Sequence, residues 1–200
     1  MNSFYTSDEL SAIGLKSYGK NIFVSKKASL YNPEKMEFGD FVRIDDFCVL
    51  SGNIKLGSHI HIAAHSMLVA GRYSIEMEDF SGISSHCSIY ADSDDYSGES
   101  MSNPMCPELY RTTYGKQIFI KRHAVIGAGS VILPGACIEE GAAIGAMSLV
   151  TKNMPPWHIC AGIPCKVIKA RSRKVLELEA EFKKMESRQT TLPASDEAAK

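Results

Sequence analysis

Histidines at a recurring position are the first feature of this chain that could carry chemistry. Large aliphatic residues recur at every sixth position in parts of this chain, and four of the six histidines lie three residues after one of them: His59, His65, His86 and His123. Imidazole titrates near pH 6.5, which suits a general base at neutral pH. If His65 and His86 occupy one corner on successive turns of a repeat, their rings lie about 5 Å apart. The alternative is that all four are ordinary corner residues that bond to the backbone.

A second set of candidate groups is acidic and lies where the pattern breaks. Residues 91–117 form a polar excursion that includes Asp92, Asp94 and Asp95. A carboxylate with a pKa near 4 is a weak base unless it is desolvated or crowded by other acids. Long excursions inside compact repeats are usually functional, and the alternative is a solvated insertion without a role.

The element that must position these groups is a repeat of six residues. Large aliphatic residues recur in unbroken phase, with a small residue two positions before each next one: Ile120, Ile126, Ile132, Ile138, Ile144 and Val150, with Ala124, Ser130, Ala136, Ala142 and Ser148. This period fits neither an α-helix nor a single strand. It predicts a coil of short parallel strands with three flat sides and about eighteen residues a turn.

The same period extends backwards through the chain, from Phe38 to Leu68, and resumes at Met77 after three extra residues. We therefore predict an all-β solenoid of about five to six turns over residues 22–168, with the extra residues placed at a corner. Thr6 and Glu9 form a capping-box pair that predicts a short N-terminal helix. Apolar residues at helical spacing predict a C-terminal capping helix within 169–187, which would close the open end of the coil.

Length and composition bound the remaining possibilities. The 200 residues suit one domain, 1–200, in which 188–200 are polar and are expected to be disordered. A net charge of −1 argues against a nucleic-acid partner. Since no apolar run reaches the ~18 residues of a membrane span and no signal peptide opens the chain, we expect a cytoplasmic protein without membrane contact.

The end of the repeat resembles a known family. The stretches IGAMSLVTK and AGIPCKVIK, with the hexapeptide period and the long loop, resemble the left-handed parallel β-helix acetyltransferases. More narrowly, the opening MNSFYTSDEL, the stretch VRIDDFCVLSG and the loop DDYSG resemble the dTDP-4-amino-4,6-dideoxyglucose N-acetyltransferases of bacterial O-antigen synthesis. This resemblance implies a metal-independent homotrimer in which acetyl-CoA, as co-substrate, lies in the groove between two coils.

The resemblance also implies residues that bind acetyl-CoA. Small residues face the pantetheine arm at positions that match Ala128 and Ala146, although tight corners alone would explain both. The basic positions that hold the phosphates match the pair Thr151 and Lys152 and the later Lys166 and Lys169, which could otherwise be idle surface residues.

The general base stays open between two residues. The O-acetyltransferases of the family carry a histidine in the long loop, and this loop has none; the matching position falls near Asp94. An amine acceptor demands less of a base than a hydroxyl does, so the loss favours N-acetylation. His86 is slightly preferred over Asp94 as the base. Four neighbours are expected to contact the nucleotide-linked amino sugar: His65, Ser84, Ser85 and Asp95.

Other functions remain possible at this point. A sugar O-acetyltransferase of the galactoside or maltose type would share the coil and the cofactor. A metal-dependent carbonic anhydrase of the γ type would need three histidine ligands at a subunit interface, and the histidine spacing that it requires is missing. A non-enzymatic scaffold would expose apolar stripes, whereas the outward positions here are mixed and polar.

Overall fold

The computed structural model describes the backbone of residues 3–191 and the side chains of 3–186. In chain order the strands are β1 (Ser17–Tyr18), β2 (Phe23–Val24), β3 (Ser29–Tyr31), β4 (Met36–Phe38), β5 (Val42–Ile44), β6 (Val49–Leu56), β7 (Ile60–Ile62), β8 (Met67–Met77), β9 (Gly82–Ile83), β10 (Ser88–Tyr90), β11 (Asp92–Asp94), β12 (Thr113–Gly115), β13 (Ile118–Ile120), β14 (Val125–Ile126), β15 (Val131–Ile132), β16 (Cys137–Ile138), β17 (Ala143–Ile144), β18 (Leu149–Val150), β19 (His158–Ala161) and β20 (Lys166–Ala170). Helices α1 (Ser7–Ala12) and α2 (Lys174–Thr191) lie at the two ends, and short 3₁₀ turns span Pro33–Lys35 and Glu108–Tyr110.

The strands stack into a β-solenoid with three faces. Face 1 is the eight-stranded sheet β2-β5-β7-β9-β14-β17-β19-β20, in which only the last pair is antiparallel. Face 2 is formed by β3, the first part of β6 and β8, β10, β15 and β18, and face 3 by β1, β4, the second part of β6 and β8, β13 and β16. The predicted solenoid is confirmed.

The interior explains why the period is six. On face 1, Ile44, Ile62 and Ile83 stand in register on successive turns and are at most 2% exposed. The small residues of the pattern are buried as well, since they lie where the chain turns and a larger side chain has no room: Ala124, Ser130, Ala136, Ala142 and Ser148. The three extra residues fall between Val69 and Ser74, where the register of β6 and β8 shifts. This corner is where the insertion was predicted.

Two corners carry columns of left-handed residues. Corner 1 precedes face 1 and contains Phe41, His59, Phe80, His123 and Trp157, all with φ between 55° and 60°. Corner 2 joins faces 1 and 2 and contains Phe47, His65, His86, Gly129 and Met147. Histidine is among the residues that occur more often than most in this backbone region, so the corner geometry accounts for its recurrence.

The N-terminal helix forms as predicted. The Thr6 hydroxyl and the Glu9 carboxylate make the reciprocal capping box, and the chain leaves the helix through Gly14 at φ 81°. Glu9 also receives a hydrogen bond from Lys26, which ties the helix to the first turn of the coil.

The C-terminal region differs from the prediction in position. Residues 166–170 form β20, so the helix begins at Lys174 rather than at 169, and residues 188–191 are helical rather than disordered. The rest of the segment expected to be disordered, 192–200, lies outside the described residues. The edge of β19 is covered by β20 and not by the helix. A neighbouring strand can pair with the free backbone N–H and C=O groups of such an edge, which a helix cannot do.

Helix α2 packs along corner 1 instead of closing the end of the coil. Glu179 accepts hydrogen bonds from His123 Nε2, at 2.7 Å, and from Arg122. The Phe182 ring meets the rings of His59 and Phe80 edge to face. The column of rings offers this helix an apolar surface that spans several turns, which the repeat pattern alone does not reveal. No described helix is long and apolar enough to cross a membrane.

Candidate active site

The histidines of corner 2 form a stacked pair. The His65 and His86 rings lie 4.7 Å apart with an interplanar angle of 2°, and the Phe47 ring stacks on His65 at 4.9 Å. The separation agrees with the spacing of successive turns that the repeat predicts. Both imidazoles are exposed, so their edges are accessible to solvent.

The column limits what can be inferred from these histidines. Phenylalanine stands at the equivalent position in corner 2, and histidine alternates with Phe41 and Phe80 in corner 1. A flat ring that adopts the left-handed conformation and stacks on the next turn satisfies the corner, whether or not it carries a proton. The geometry therefore gives His86 a packing role that needs no catalysis.

A concavity on face 1 lies beside this pair. It is lined by the following residues: His61, Ala63, Gly82, Ile83, Ser84, Ser85 and Val125. The Ser84 side chain is exposed, and its backbone N–H donates to the Ile126 carbonyl, which holds the residue at the end of β9. The predicted substrate residues Ser84 and Ser85 are thus brought together with His61. Sequence reasoning missed His61, although its outward position on β7, one turn from Gly82, could have identified it.

The excursion 91–117 is structured where it leaves the coil. Strands β11 and β12 pair antiparallel, so Asp92 and Asp94 project to one side and Ser93 to the other. The Asp92 carboxylate fills the space above Gly71, where a Cβ could not fit. The Asp94 carboxylate has no hydrogen bond or ion pair with any described residue. No described contact joins Asp94 to His86.

Asp95 has a different environment from Asp94. It is buried and accepts hydrogen bonds from the backbone of Ser97 and from the backbone and hydroxyl of Ser100. The Ser97 hydroxyl and backbone N–H, followed by those of Ser100, lower the pKa of Asp95 from 3.8 to about 2. Asp95 is therefore engaged within its own loop, and it is not free to share a proton with Asp94. A contact of Asp95 with substrate stays a prediction.

Asp95→Ala is expected to loosen the first part of the excursion. Because the folded-state pKa is depressed, the stabilising effect is fully present above the unfolded pKa near 4 and is lost as the pH falls through about 2. Hydrogen exchange at the Ser97 and Ser100 amides should accelerate by about tenfold or more at neutral pH. Glu99→Ala, an exposed acid in the same segment, is the matched control. Equal exchange in the two variants would contradict the role assigned to Asp95.

The other end of face 1 presents the predicted lysines. Strand β20 pairs Lys166 with Ala161 and Lys169 with Ile159, across an irregularity between Ile159 and Cys160. Cys160 points into the core, so Ala161 and Ile159 point outward. The irregularity therefore brings two lysines that are three residues apart onto the same outer side. Neither lysine has an ion pair within the described part of the chain.

Two small residues lie just before corner 2, on the turns next to these lysines. Met147 donates its N–H to the Ala128 carbonyl, which places Ala128 and Ala146 on adjacent turns. The amide N–H groups of Ala128 and Ala146 have no acceptor among the described residues. Thr151 and Lys152 follow β18 at the corner between faces 2 and 3, away from the other predicted cofactor residues of the same chain.

The described residues contain no cluster of three or more histidine, cysteine, aspartate or glutamate side chains that could hold a metal ion. Face 1 and corner 2 instead present hydroxyls, imidazoles and free amides around the concavity, and lysines lie toward the C-terminal end of the face. Such a surface can bind an extended anionic substrate and stabilise a developing oxyanion.

Comparison with curated proteins and with solved structures identifies relatives that cover most of the chain. No protein-family model matches the chain. A dTDP-4-amino-4,6-dideoxy-D-glucose acyltransferase from Escherichia coli is 43% identical over 178 residues, which cover 88% of this chain and 92% of the relative.

Crystal structures of AntD, an N-acyltransferase from Bacillus cereus, share the fold. The complex with dTDP and 3-hydroxybutyryl-CoA has a TM-score of 0.91 at 48% identity and covers 94% of this chain and 100% of that chain. The S84C variant with dTDP-4-amino-4,6-dideoxyglucose and coenzyme A has a TM-score of 0.90 at 48% identity, with coverage of 92% and 99%. A D94N variant of AntD has also been crystallised with dTDP and coenzyme A.

Proposed function

We propose the reaction of this chain from its family, since it belongs to the dTDP-4-amino-4,6-dideoxy-D-glucose acyltransferases. The chain transfers the acetyl group of acetyl-CoA to the 4-amino group of dTDP-4-amino-4,6-dideoxy-D-glucose. The observation that carries this assignment is the 43% identity over nearly the full length of both chains. The chain is an acyltransferase, and its co-substrate is an acyl-CoA. The motifs at the end of the repeat, IGAMSLVTK and AGIPCKVIK, predict that the transferred acyl group is acetyl.

The reaction needs one proton acceptor and one oxyanion donor. The amine nitrogen attacks the thioester carbonyl and loses a proton to the base, the C–S bond breaks, and the leaving thiolate takes up that proton from the base. A positioned base assists by removing that proton. Hydrogen-bond donors aimed at the carbonyl oxygen stabilise its developing charge.

Asp94 is the base in this proposal. Its carboxylate has no partner in the described chain, so it can hydrogen-bond the sugar amine and accept the proton that the nitrogen loses on attack. AntD variants at Asp94 and Ser84 have been crystallised with coenzyme A and either dTDP or the dTDP-linked amino sugar, and this chain has the same residue types at the same numbers. In this proposal His86 serves the packing column of corner 2, since Phe47 satisfies the equivalent position two turns away.

The donor for the oxyanion is a backbone amide in this proposal. Ala128 offers an N–H group without an acceptor, one turn below Ser85, whose carbonyl accepts the Gly129 N–H. The Ser84 hydroxyl is exposed in the adjacent concavity and can contact the sugar or the thioester oxygen. Backbone donors need no particular side chain, which is why residue types alone do not identify them.

The quaternary proposal is a homotrimer in the cytoplasm, serving polysaccharide synthesis such as that of an O-antigen. Three coils side by side would bring the corner with Thr151 and Lys152 of one chain to the face with Lys166 and Lys169 of the next. The same arrangement would bring Asp94, on the excursion, to a neighbour's concavity. Within one chain, the Thr151–Lys152 corner lies away from the two later lysines, and Asp94 lies away from the concavity. This separation supports a site shared between subunits.

Replacing Lys166 and Lys169 together with alanine is expected to raise the KM for acetyl-CoA by about tenfold or more, with kcat little changed. Each exposed lysine supplies a charge-assisted contact to phosphate, and such contacts bind the ground state and the transition state equally. Steady-state kinetics with saturating sugar nucleotide measures the effect. Lys184→Ala, an exposed lysine on α2, is the control. An unchanged KM would remove both lysines from the cofactor site.

The proposed function is tested by incubating the protein with acetyl-CoA and a panel of nucleotide-linked amino sugars while thiol release is followed. Rapid release with the 4-amino sugar, and an N-acetylated product by mass spectrometry, are expected. A parallel panel of longer acyl-CoA donors tests the acyl group. Faster turnover with sugars that offer only hydroxyl groups would favour an O-acetyltransferase, and no acyl-CoA binding by calorimetry would favour a scaffold.

A further inference from the structure

The outward side chains of face 1 change character along the coil. Toward the C-terminal end they are small or aliphatic, as at Gly82, Val125 and Ala143, which stand in register. Toward the N-terminal end the same positions carry His61, Arg43 and, one turn further, Phe23. The concavity with Ser84 lies where the two regions meet.

Arg43 and His61 are held by a shared acid. Asp45 accepts a hydrogen bond from Arg43 Nε at 2.7 Å and lies 2.8 Å from His61 Nε2. Asp45 is largely buried, with its side chain 19% exposed. Burial acts to raise its pKa, but the hydrogen bonds from His61 and Arg43 outweigh burial and lower it overall. The acid therefore stays ionised and fixes both side chains in place.

The guanidinium of Arg43 retains unused donors. Its Nε is engaged by Asp45, while its two terminal nitrogens have no hydrogen bond or ion pair with any described residue. The side chain is 55% exposed, and the guanidinium carbon lies 5.3 Å from the centre of the Phe4 ring. Phe4 in turn packs edge to face against Phe23, which is 47% exposed. A fixed guanidinium with free terminal nitrogens is suited to bind phosphate oxygens.

We propose that Arg43, oriented by Asp45 beside His61, binds the diphosphate of the nucleotide sugar, with the aromatic pair Phe4 and Phe23 next to the base. This inference rests on the proposed function. It follows from the order of groups on one face: Arg43 lies two turns, about 10 Å, from the turn of Gly82. A sugar in the concavity would therefore place its diphosphate toward His61 and Arg43. Lys166 and Lys169, at the opposite end, would bind the phosphates of the acyl-CoA, so the amine and the thioester would meet between Arg43 and these lysines.

The experiment measures dTDP binding by calorimetry and steady-state kinetics for both substrates. Arg43→Met keeps the length of the side chain and removes the charge, and should weaken dTDP binding by about 10- to 100-fold. The KM of the sugar nucleotide should rise similarly, while the KM for acetyl-CoA stays unchanged. Asp45→Asn, which removes the orienting charge, should weaken dTDP binding less than Arg43→Met does.

The control is Lys16→Met, which breaks an exposed ion pair with Glu37 near the same end of the coil but on face 3. It should bind dTDP as the unmodified protein does. If the unmodified protein transfers acetyl groups to the sugar nucleotide and Arg43→Met still binds dTDP tightly, the inference is overturned and the proposed function stays intact. Failure of the unmodified protein to bind dTDP or to turn over any sugar nucleotide would reject both.

Discussion

Asp94→Asn is expected to lower kcat by about 10²- to 10⁴-fold, the usual scale for loss of a general base. Asparagine keeps the size of the side chain and loses the charge that accepts the proton. Because the Asp94 carboxylate has no partner in the described chain, its loss should leave the fold and dTDP binding intact. Stopped-flow or steady-state thiol release measures the rate, and calorimetry with dTDP measures the binding.

The matched comparison is His86→Phe. Phenylalanine occupies the equivalent corner at Phe47, so the variant should preserve the stack on His65 while it removes the only proton acceptor of the side chain. We expect its kcat to fall by less than about tenfold. The reverse result, a large loss in His86→Phe and near-normal turnover in Asp94→Asn, would make His86 the base and Asp94 at most a substrate contact.

Ile132→Ala is expected to destabilise the coil by about 2–5 kcal/mol. Ile132 is fully buried and stands in register with Ile89 and Val150 on the turns on either side. Truncation leaves a cavity in a column of side chains that the neighbouring turns cannot close, since each turn is held by its own backbone hydrogen bonds. Urea denaturation followed by circular dichroism measures the change in the free energy of unfolding.

The same substitution at an exposed isoleucine separates burial from residue type. Ile168 on β20 is 62% exposed, and Ile168→Ala should cost less than about 0.5 kcal/mol. A similar cost at both positions, or a cost below about 1 kcal/mol at Ile132, would be incompatible with the packed interior described for the solenoid.

Much of the fold was predictable because the repeat is local. Each aliphatic residue from Ile120 to Val150 meets its equivalents on neighbouring turns, so a period of six in the sequence becomes a column in space. The stack of His65 on His86 follows from the same register, as does the corner location of the extra residues before Met77. The capping box at Thr6 and Glu9 is likewise a property of residues three apart.

The position of α2 was not predictable in this way. Its amphipathic pattern predicts a helix but not the surface that receives it. That surface is the part of the corner 1 ring column formed by His59, Phe80 and His123. The strand at Lys166–Ala170 was also missed, because pairing with β19 depends on a reversal of the chain rather than on periodicity. The irregularity in that pair is what places Lys166 and Lys169 on one side.

The amino-acid sequence alone determined the solenoid, its corners and the family, because these depend on contacts between equivalent positions of a short repeat and on contiguous motifs. Only the tertiary structure decided which polar groups are available for chemistry. Asp94 and Asp95 are adjacent and chemically identical, yet Asp95 is held by Ser97 and Ser100, whereas Asp94 has no partner in the described chain. Arg43, Asp45 and His61 come together because strands separated by a full turn stack in register, and that proximity brings a potential phosphate site onto the same face as Ser84.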